Sequence, residues 1–314
     1  MTVEHLYADL DRSPLTLPSP PVGGRGLQRV GAANVAPYPK LGEGIVSSRV
    51  ETAPRSRFLF ALLLLLAPAG AHADALKPGP MARVAEVIDG DTVVLASPMM
   101  EAKEVRLVGI QAPKLPLGRS NFPAWPLAEA AKQALAALTL GKEVRLSFGG
   151  TDKDRHGRLL AHLHAADGAW VQGTLLEAGL ARVYSFADNR AQVAEMLAIE
   201  ADARAAKRGI WGLPFYAVRD AAETARHVGS FQVVEGRVVK AAKVKGTVYL
   251  NFGADWRSDF TAAVGADALK LFRKTGVDPL EFEGRTVRVR GWLKQMNGPM
   301  IALSHPEQIE AVGR

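Results

Sequence analysis

Val84–Lys114, which reads VAEVIDGDTVVLASPMMEAKEVRLVGIQAPK, constrains this chain more than any other stretch. Two apolar runs, Val84–Ile88 and Thr92–Leu95, flank Asp89-Gly90-Asp91, and a third run, Glu104–Ile110, follows a polar connection. In the third run Val105, Leu107 and Gly109 face one way, with Arg106 and Val108 facing the other. Short β-rich runs joined by tight turns predict an antiparallel meander. The meander sets Asp91 just past a turn and Arg106 on the following strand, so an acid and a base can converge.

Beyond the meander, Leu115–Pro126 reads as a loop rich in Pro and Gly. The spacing of Leu127, Ala131, Ala134, Leu135 and Leu138 predicts an amphipathic helix over Leu127–Leu140. Strands are expected at Glu143–Phe148 and Leu159–His164, with a charged turn between them. A short helix at Val171–Ala178, a loop at Arg182–Asn189 and a long helix at Arg190–Lys207 follow. Asp220–Gly229 has the composition of a polar linker. The remainder predicts strands at Phe231–Lys240, Thr247–Phe252, Arg285–Trp292 and Pro299–Leu303, with a helix near Thr261–Lys274. The chain thus reads as α+β: a small five-stranded barrel with helices, then a second small β-rich unit with one helix.

The N-terminal part reads differently. Residues 1–49 hold no sustained period and are expected to be a spurious or disordered extension. Residues 50–73 have the layout of a secretory signal peptide, with Arg55 and Arg57 before an apolar core and Ala71-His72-Ala73 as a small-x-small cleavage site. That layout predicts a mature N-terminus at Asp74 and a periplasmic or secreted protein. Cysteine is absent, so an exported chain of this kind is held by its cores and not by disulfides. Its 39 Lys+Arg against 32 Asp+Glu give a net +7, compatible with a polyanionic partner.

Five pieces in register carry a resemblance: Val87-Ile-Asp-Gly-Asp-Thr-Val93, Arg106-Leu-Val-Gly-Ile-Gln-Ala-Pro113, Asp154-Arg-His-Gly-Arg158, Leu175-Leu-Glu-Ala-Gly-Leu-Ala181 and Gly209-Ile-Trp-Gly212. Together they resemble the staphylococcal nuclease (thermonuclease-like) family over about residues 82–212. The resemblance implies an SNase-like domain over 81–213, folded as a five-stranded oligonucleotide-binding (OB) barrel with three helices. Residues 230–314 remain as a second β-rich domain, either OB-like or a sheet with one helix laid on it, and the strand runs and helix of Phe231–Val312 lead to the expectation that it folds by itself. The resemblance further implies binding of DNA, RNA or another phosphate-bearing polyanion, and Ca2+-assisted phosphodiester hydrolysis in active members.

Carried over by position, Asp91 matches a metal-binding aspartate, and Arg106 and Arg158 match two phosphate-gripping arginines. Arg182, Tyr184 and Phe186 fall at substrate-contacting positions. Two positions depart: Gln111 stands where the second metal aspartate is expected, and Lys114 where the catalytic glutamate is expected. Calcium favours hard anionic oxygens, and this exchange moves the local formal charge by +3. The expectation is a phosphate-binding site with weak or absent hydrolysis and no cofactor. The alternatives are an active Ca2+-dependent endonuclease and an envelope scaffold or protein-binding module.

Overall fold

The computed structural model describes residues 76–313. The expected extension at 1–49 and export signal at 50–73 lie outside the described residues. Within them, no helix is long and apolar enough to cross a membrane.

The first unit is built from β1 (Lys77–Asp89), β2 (Thr92–Met99), β3 (Ala102–Leu107), β4 (Ile110–Gln111), α1 (Ala128–Thr139), β5 (Glu143–Phe148), β6 (Leu159–Ala165), α2 (Val171–Glu177), β7 (Arg182–Val183) and α3 (Val193–Ala205). Five strands close into a barrel in the order β1-β2-β3-β6-β5. Closure depends on β1. Its first half, Lys77–Arg83, pairs with β5, and its second half, Val84–Asp89, pairs with β2. Register shifts along β1 supply the bend, since an extra residue on one strand curls the sheet locally. β3 and β6 run parallel. Val84, Val93, Val105, Leu107, Val144, Leu146, Leu159 and Leu163 are all buried inside the barrel.

α1 covers the end of the barrel beside the meander's first turn. A Cβ at Gly90 would stand 2.6 Å from the Ala131 Cβ and 2.7 Å from the Ala112 Cβ. The glycine between the two aspartates is therefore what lets α1 and the Gln111–Lys114 loop close on the turn. Ala131 and Leu135 are buried as the helical spacing requires. Leu127 is not: it precedes the helix in a left-handed conformation and is exposed. α3 begins at Val193, three residues later than its sequence pattern suggested.

The second unit holds β8 (Arg219–Asp220), β9 (Phe231–Arg237), β10 (Lys240–Val244), β11 (Thr247–Asn251), β12 (Thr261–Val264), α4 (Ala266–Lys274), β13 (Thr286–Trp292), β14 (Lys294–Met296), β15 (Gly298–Leu303) and β16 (Ile309–Ala311). Two sequence expectations fail here. Asp220–Gly229 is no linker: Asp220 pairs with β9, and Ala221–His227 is a 3-10 helix that buries Ala221 and Thr224. Thr261–Lys274 is not one helix, because Thr261-Ala-Ala-Val264 forms a strand and helix starts only past Gly265. All four residues of that strand are buried, and a short run buried on both faces has no period to separate strand from helix.

The sheets run β10-β11-β12-β15-β14 and β16-β13-β9-β8. β12 pairs in parallel with β15, as β3 does with β6. Each unit thus sets a helix in the connection between two parallel strands, α1 between β3 and β6 and α4 between β12 and β15. All described residues fall in one compact unit. A third apolar cluster explains why: Ala203, Ile210, Trp211 and Tyr216 of the first unit pack with Phe231 and Val233 of β9, with Tyr184 and Trp292 beside them.

Candidate active site

The turn Asp89-Gly90-Asp91 brings two carboxylates to the mouth of the barrel, and both are buried. The Asp91 carboxylate has no free oxygen. Lys114 Nζ lies 2.7 Å from each of its oxygens, the Ala112 amide donates to Oδ2 at 2.7 Å, and an Arg106 guanidinium nitrogen stands 3.1 Å from Oδ2. The Thr92 hydroxyl donates to Oδ1 at 3.3 Å. Asp89 is the second carboxylate of the cluster: its Oδ2 accepts from Lys114 at 3.1 Å, and its Oδ1 accepts the Asp91 amide at 3.2 Å. The ammonium of Lys114 thus bridges the two aspartates.

Burial opposes ionisation at Asp89, yet Lys114 and Arg106 outweigh it and hold its carboxyl well below the usual range. At Asp91 burial pushes the carboxyl up, against Arg106 and Lys114. With an ammonium in contact with both oxygens, Asp91 stands as the acceptor of an ion pair, which charge-assisted bonds of this length favour.

Arg106 is almost fully consumed by the fold. Its Nη1 donates to the Asp91 and Leu107 carbonyls at 3.0 and 2.9 Å, and its Nη2 donates to the Ile110 carbonyl at 2.7 Å. The guanidinium thereby clamps the strand end to the loop carrying Gln111 and Lys114. Gln111 turns away from the aspartates: its Oε1 accepts from Arg182 Nε at 3.0 Å and Nη2 at 2.6 Å. Arg158 sits beside the parallel β3–β6 seam, and its guanidinium is held by Asp154 at 2.7 Å. Asp154 also accepts the amides of His156 and Arg158, so it anchors the turn before the arginine. Burial works against its charge, but the bonds from Arg158 keep its carboxyl below the usual range. An open cleft of about 380 Å³ adjoins Arg158, lined by Ala102, Lys103, Glu104, His156 and Gly157.

The sequence placed two arginines and a lysine here with only Asp91 assured against them. The structure adds Asp89 and Asp154, so each of the three cations has a carboxylate partner. Nothing in the local pattern distinguished Asp89 from a turn residue. Its burial follows from the close seat that Gly90 gives α1.

The remaining positions lie at the junction between the two units. Arg182 is buried, with its guanidinium 4.5 Å from the Phe231 ring centroid. Tyr184 packs edge-on against Phe231 at 4.9 Å, and its hydroxyl accepts from the Trp292 indole at 3.0 Å. Phe186 is about half exposed and stands edge-on to Tyr184 at 5.0 Å.

Calcium does not fit this donor set. A hard divalent ion takes six to eight oxygens, whereas both Asp91 oxygens and the Gln111 carbonyl are already committed. Among the described residues no group of three His, Cys, Asp or Glu side chains is placed to hold a metal ion.

Residues 104–212 match the family described as Staphylococcal nuclease homologue. The chain is 33% identical over 129 residues to an uncharacterized endonuclease of Escherichia coli, covering 41% of this chain and 75% of that protein. It is 31% identical over 106 residues to the thermonuclease of Staphylococcus intermedius, covering 34% of this chain and 61% of the other. Against endonuclease YhcR of Bacillus subtilis it is 29% identical over 134 residues, 41% of this chain but 11% of that protein. The family match over residues 104–212 and the identity to a relative covered over 75% of its length, together with the closed five-stranded barrel, establish that the chain belongs to the staphylococcal nuclease-like family.

Proposed function

We propose that this protein is an exported nucleic-acid-binding member of the family in which the Lys114 ammonium has replaced the divalent cation, so that calcium-assisted hydrolysis is weak or lost. One observation carries the reading: Lys114 Nζ is 2.7 Å from both Asp91 oxygens and 3.1 Å from Asp89. A cation tethered to the chain competes with a free one at very high local concentration, and it cannot be washed out. A Lys114 nitrogen held between two carboxylates is also not placed to act as the general base, which must reach the attacking water. Phosphate is left to Arg158, which would exchange Asp154 for it at the open cleft, and to exposed cations elsewhere. The export part of the reading is supported by the charge and apolar pattern of residues 50–73; a mature N-terminus at Asp74 is its check.

The decisive assay compares native protein with a Gln111→Asp, Lys114→Glu variant on single-stranded DNA, with calcium and with chelator. The native protein should show little or no calcium-dependent cleavage, and the double variant should gain calcium binding and cleavage. Either substitution alone should do less, because groups acting as a unit are not additive. Native protein that cleaves calcium-dependently, at a rate the double variant does not improve, would overturn the reading in favour of an active endonuclease.

A further inference from the structure

The family match ends at residue 212, and the chain just past it packs onto the loop that follows Lys114. From Leu117 to Pro126 every residue of that loop is exposed except Phe122 and Trp125. Those two rings begin a row. The Arg119 guanidinium lies 3.8 Å from the centroid of the buried Phe122 ring. Phe122 stacks on the partly exposed Trp125 at 6.2 Å, and Trp125 meets the Phe215 ring at 5.6 Å. Phe215 itself is open to solvent. Arg219 Nη2 donates to the Phe215 carbonyl at 2.9 Å and ends the row with a second cation.

The row is held firmly from behind. The buried Tyr216 packs edge-on against Phe215 at 4.7 Å, and its hydroxyl donates to the Pro126 carbonyl at 2.8 Å. The Trp125 amide donates to the Lys114 carbonyl at 2.9 Å, which fastens the row to the loop carrying the bridging lysine. Leu117, Asn121 and Leu127 hold φ of 47°, 59° and 65°. Left-handed backbone is costly for such residues and persists only where the surroundings impose it.

The two end cations are not spent on acids. Arg119 donates to the Leu115 and Pro116 carbonyls, and Arg219 donates to Gln232 besides Phe215. Among the described residues neither forms an ion pair. Glu223, the acid that acts on Arg219, is itself paired with Arg226 at 3.2 Å. An open aromatic ring with an arginine on either side complements a polyanion that carries flat apolar groups.

We propose that this row binds single-stranded nucleic acid, with a base stacking on Phe215 and neighbouring phosphates held by Arg119 and Arg219. A duplex hides the faces of its bases, whereas a single strand offers them to an aromatic platform. Arginine suits both ends, because its planar fork matches phosphate oxygens. A platform already held in place also loses little freedom on binding. The inference rests on the nucleic-acid-binding reading above and adds to Arg158 a contact built partly from residues past the family match.

The test is fluorescence anisotropy of the full mature chain with a labelled oligo-dT at several salt concentrations. Phe215→Ala should weaken binding roughly tenfold, given what one stacked base contributes. Arg119→Gln with Arg219→Gln should weaken it and make the salt slope shallower by about 1.4. Arg119→Gln alone, on the exposed loop, serves if the Arg219 change impairs folding, with a slope shallower by about 0.7. Photocrosslinking of native protein to an iodouracil-containing strand should place adducts on Phe215 or Trp125, which a purely structural role for the row would not produce. Binding that these variants leave unchanged, with adducts mapping elsewhere, would overturn this inference and leave the wider reading standing on Arg158. Native protein that binds no oligonucleotide at all would overturn both, and leave the open aromatic row to a protein partner.

Discussion

At the scale of the residue, Lys114 joins structure and chemistry. Its ammonium neutralises two buried aspartates that would otherwise face each other and only one further cation, Arg106. Removing one partner of a buried ion pair costs about 3–5 kcal/mol, because a charge is left uncompensated. Lys114→Met is therefore expected to lower stability by about that much in urea denaturation at neutral pH. The sign of its pH dependence is distinctive. Lys114 pulls both aspartate carboxyls down, so without the ammonium both are expected to move up in the folded state. The deficit should then be largest at neutral pH and shrink as pH falls and the carboxyls take up protons. A deficit that is flat with pH would mean that Lys114 contributes packing alone. Gln111 and Lys114 were legible in the sequence as departures at known positions. The partners of each cation were not legible, since whether Asp89 turns inward depends on how closely α1 approaches Gly90, a property of packing and not of local pattern.

At the scale of elements, pieces far apart in sequence meet in the fold. The piece containing Gly179 and the piece beginning at Gly209 meet face to face: the Ile210 amide donates to the Gly179 carbonyl at 2.8 Å. Gly179 and Gly209 both have positive φ, and a Cβ on either would stand 2.2 or 2.1 Å from the other segment's backbone oxygen. These contacts hold the end of α2 against the segment after α3, and they seat Trp211 in the cluster shared with the second unit. Gly209→Ala must pay both backbone strain and a clash with backbone that cannot move aside, so a loss of at least about 2 kcal/mol is expected. Thermal unfolding checks it; a loss under about 0.5 kcal/mol would show that the two segments separate at little cost. The sequence displayed both glycines but gave no reason to pair them. Strand runs of alternating pattern, such as Glu143–Phe148, were legible because one face is wet, while Thr261–Val264 was lost because neither face is.

For the molecule as a whole, the two units are joined by more than a covalent connection. Arg290 of β13 reaches Glu200 of α3, with Nη1 at 2.9 and 3.1 Å from its two oxygens and both side chains buried. A fragment starting near residue 230 would strip Arg290 of this partner, remove β8 from its sheet and expose Phe231 and Val233. The full chain is accordingly expected to unfold in one cooperative transition, with Arg290→Met costing about 3–5 kcal/mol. Two resolved calorimetric transitions would favour independent domains, the arrangement the sequence suggested from its composition alone.

Acid should loosen the same junction, through His305. This residue is fully buried, its Nε2 is 2.7 Å from the Ser185 hydroxyl and its Nδ1 is 2.9 Å from the Ser304 hydroxyl. Burial pushes its pKa down to about 4; Glu307 and Asp188 pull it upward, while Arg190 and Arg290 pull it further down. In the unfolded chain a histidine titrates near 6.5. Between these values the unfolded state binds a proton that the folded state refuses, so stability falls as pH drops from about 6.5 to about 4. One such histidine contributes up to about 3 kcal/mol over that window. His162, buried on β6 beside the Trp170 ring and also pushed down to about 4, contributes a second share of similar origin. Urea denaturation at stepped pH should therefore show an acid limb that His305→Gln makes shallower without abolishing. If the limb is unchanged in that variant, His305 takes up its proton in the folded state, and the junction opens locally before the chain unfolds. Hydrogen exchange at the Ser185 and His305 amides near pH 5 separates that outcome from global unfolding, because only local opening would raise exchange there while the core strands β3 and β13 stay protected.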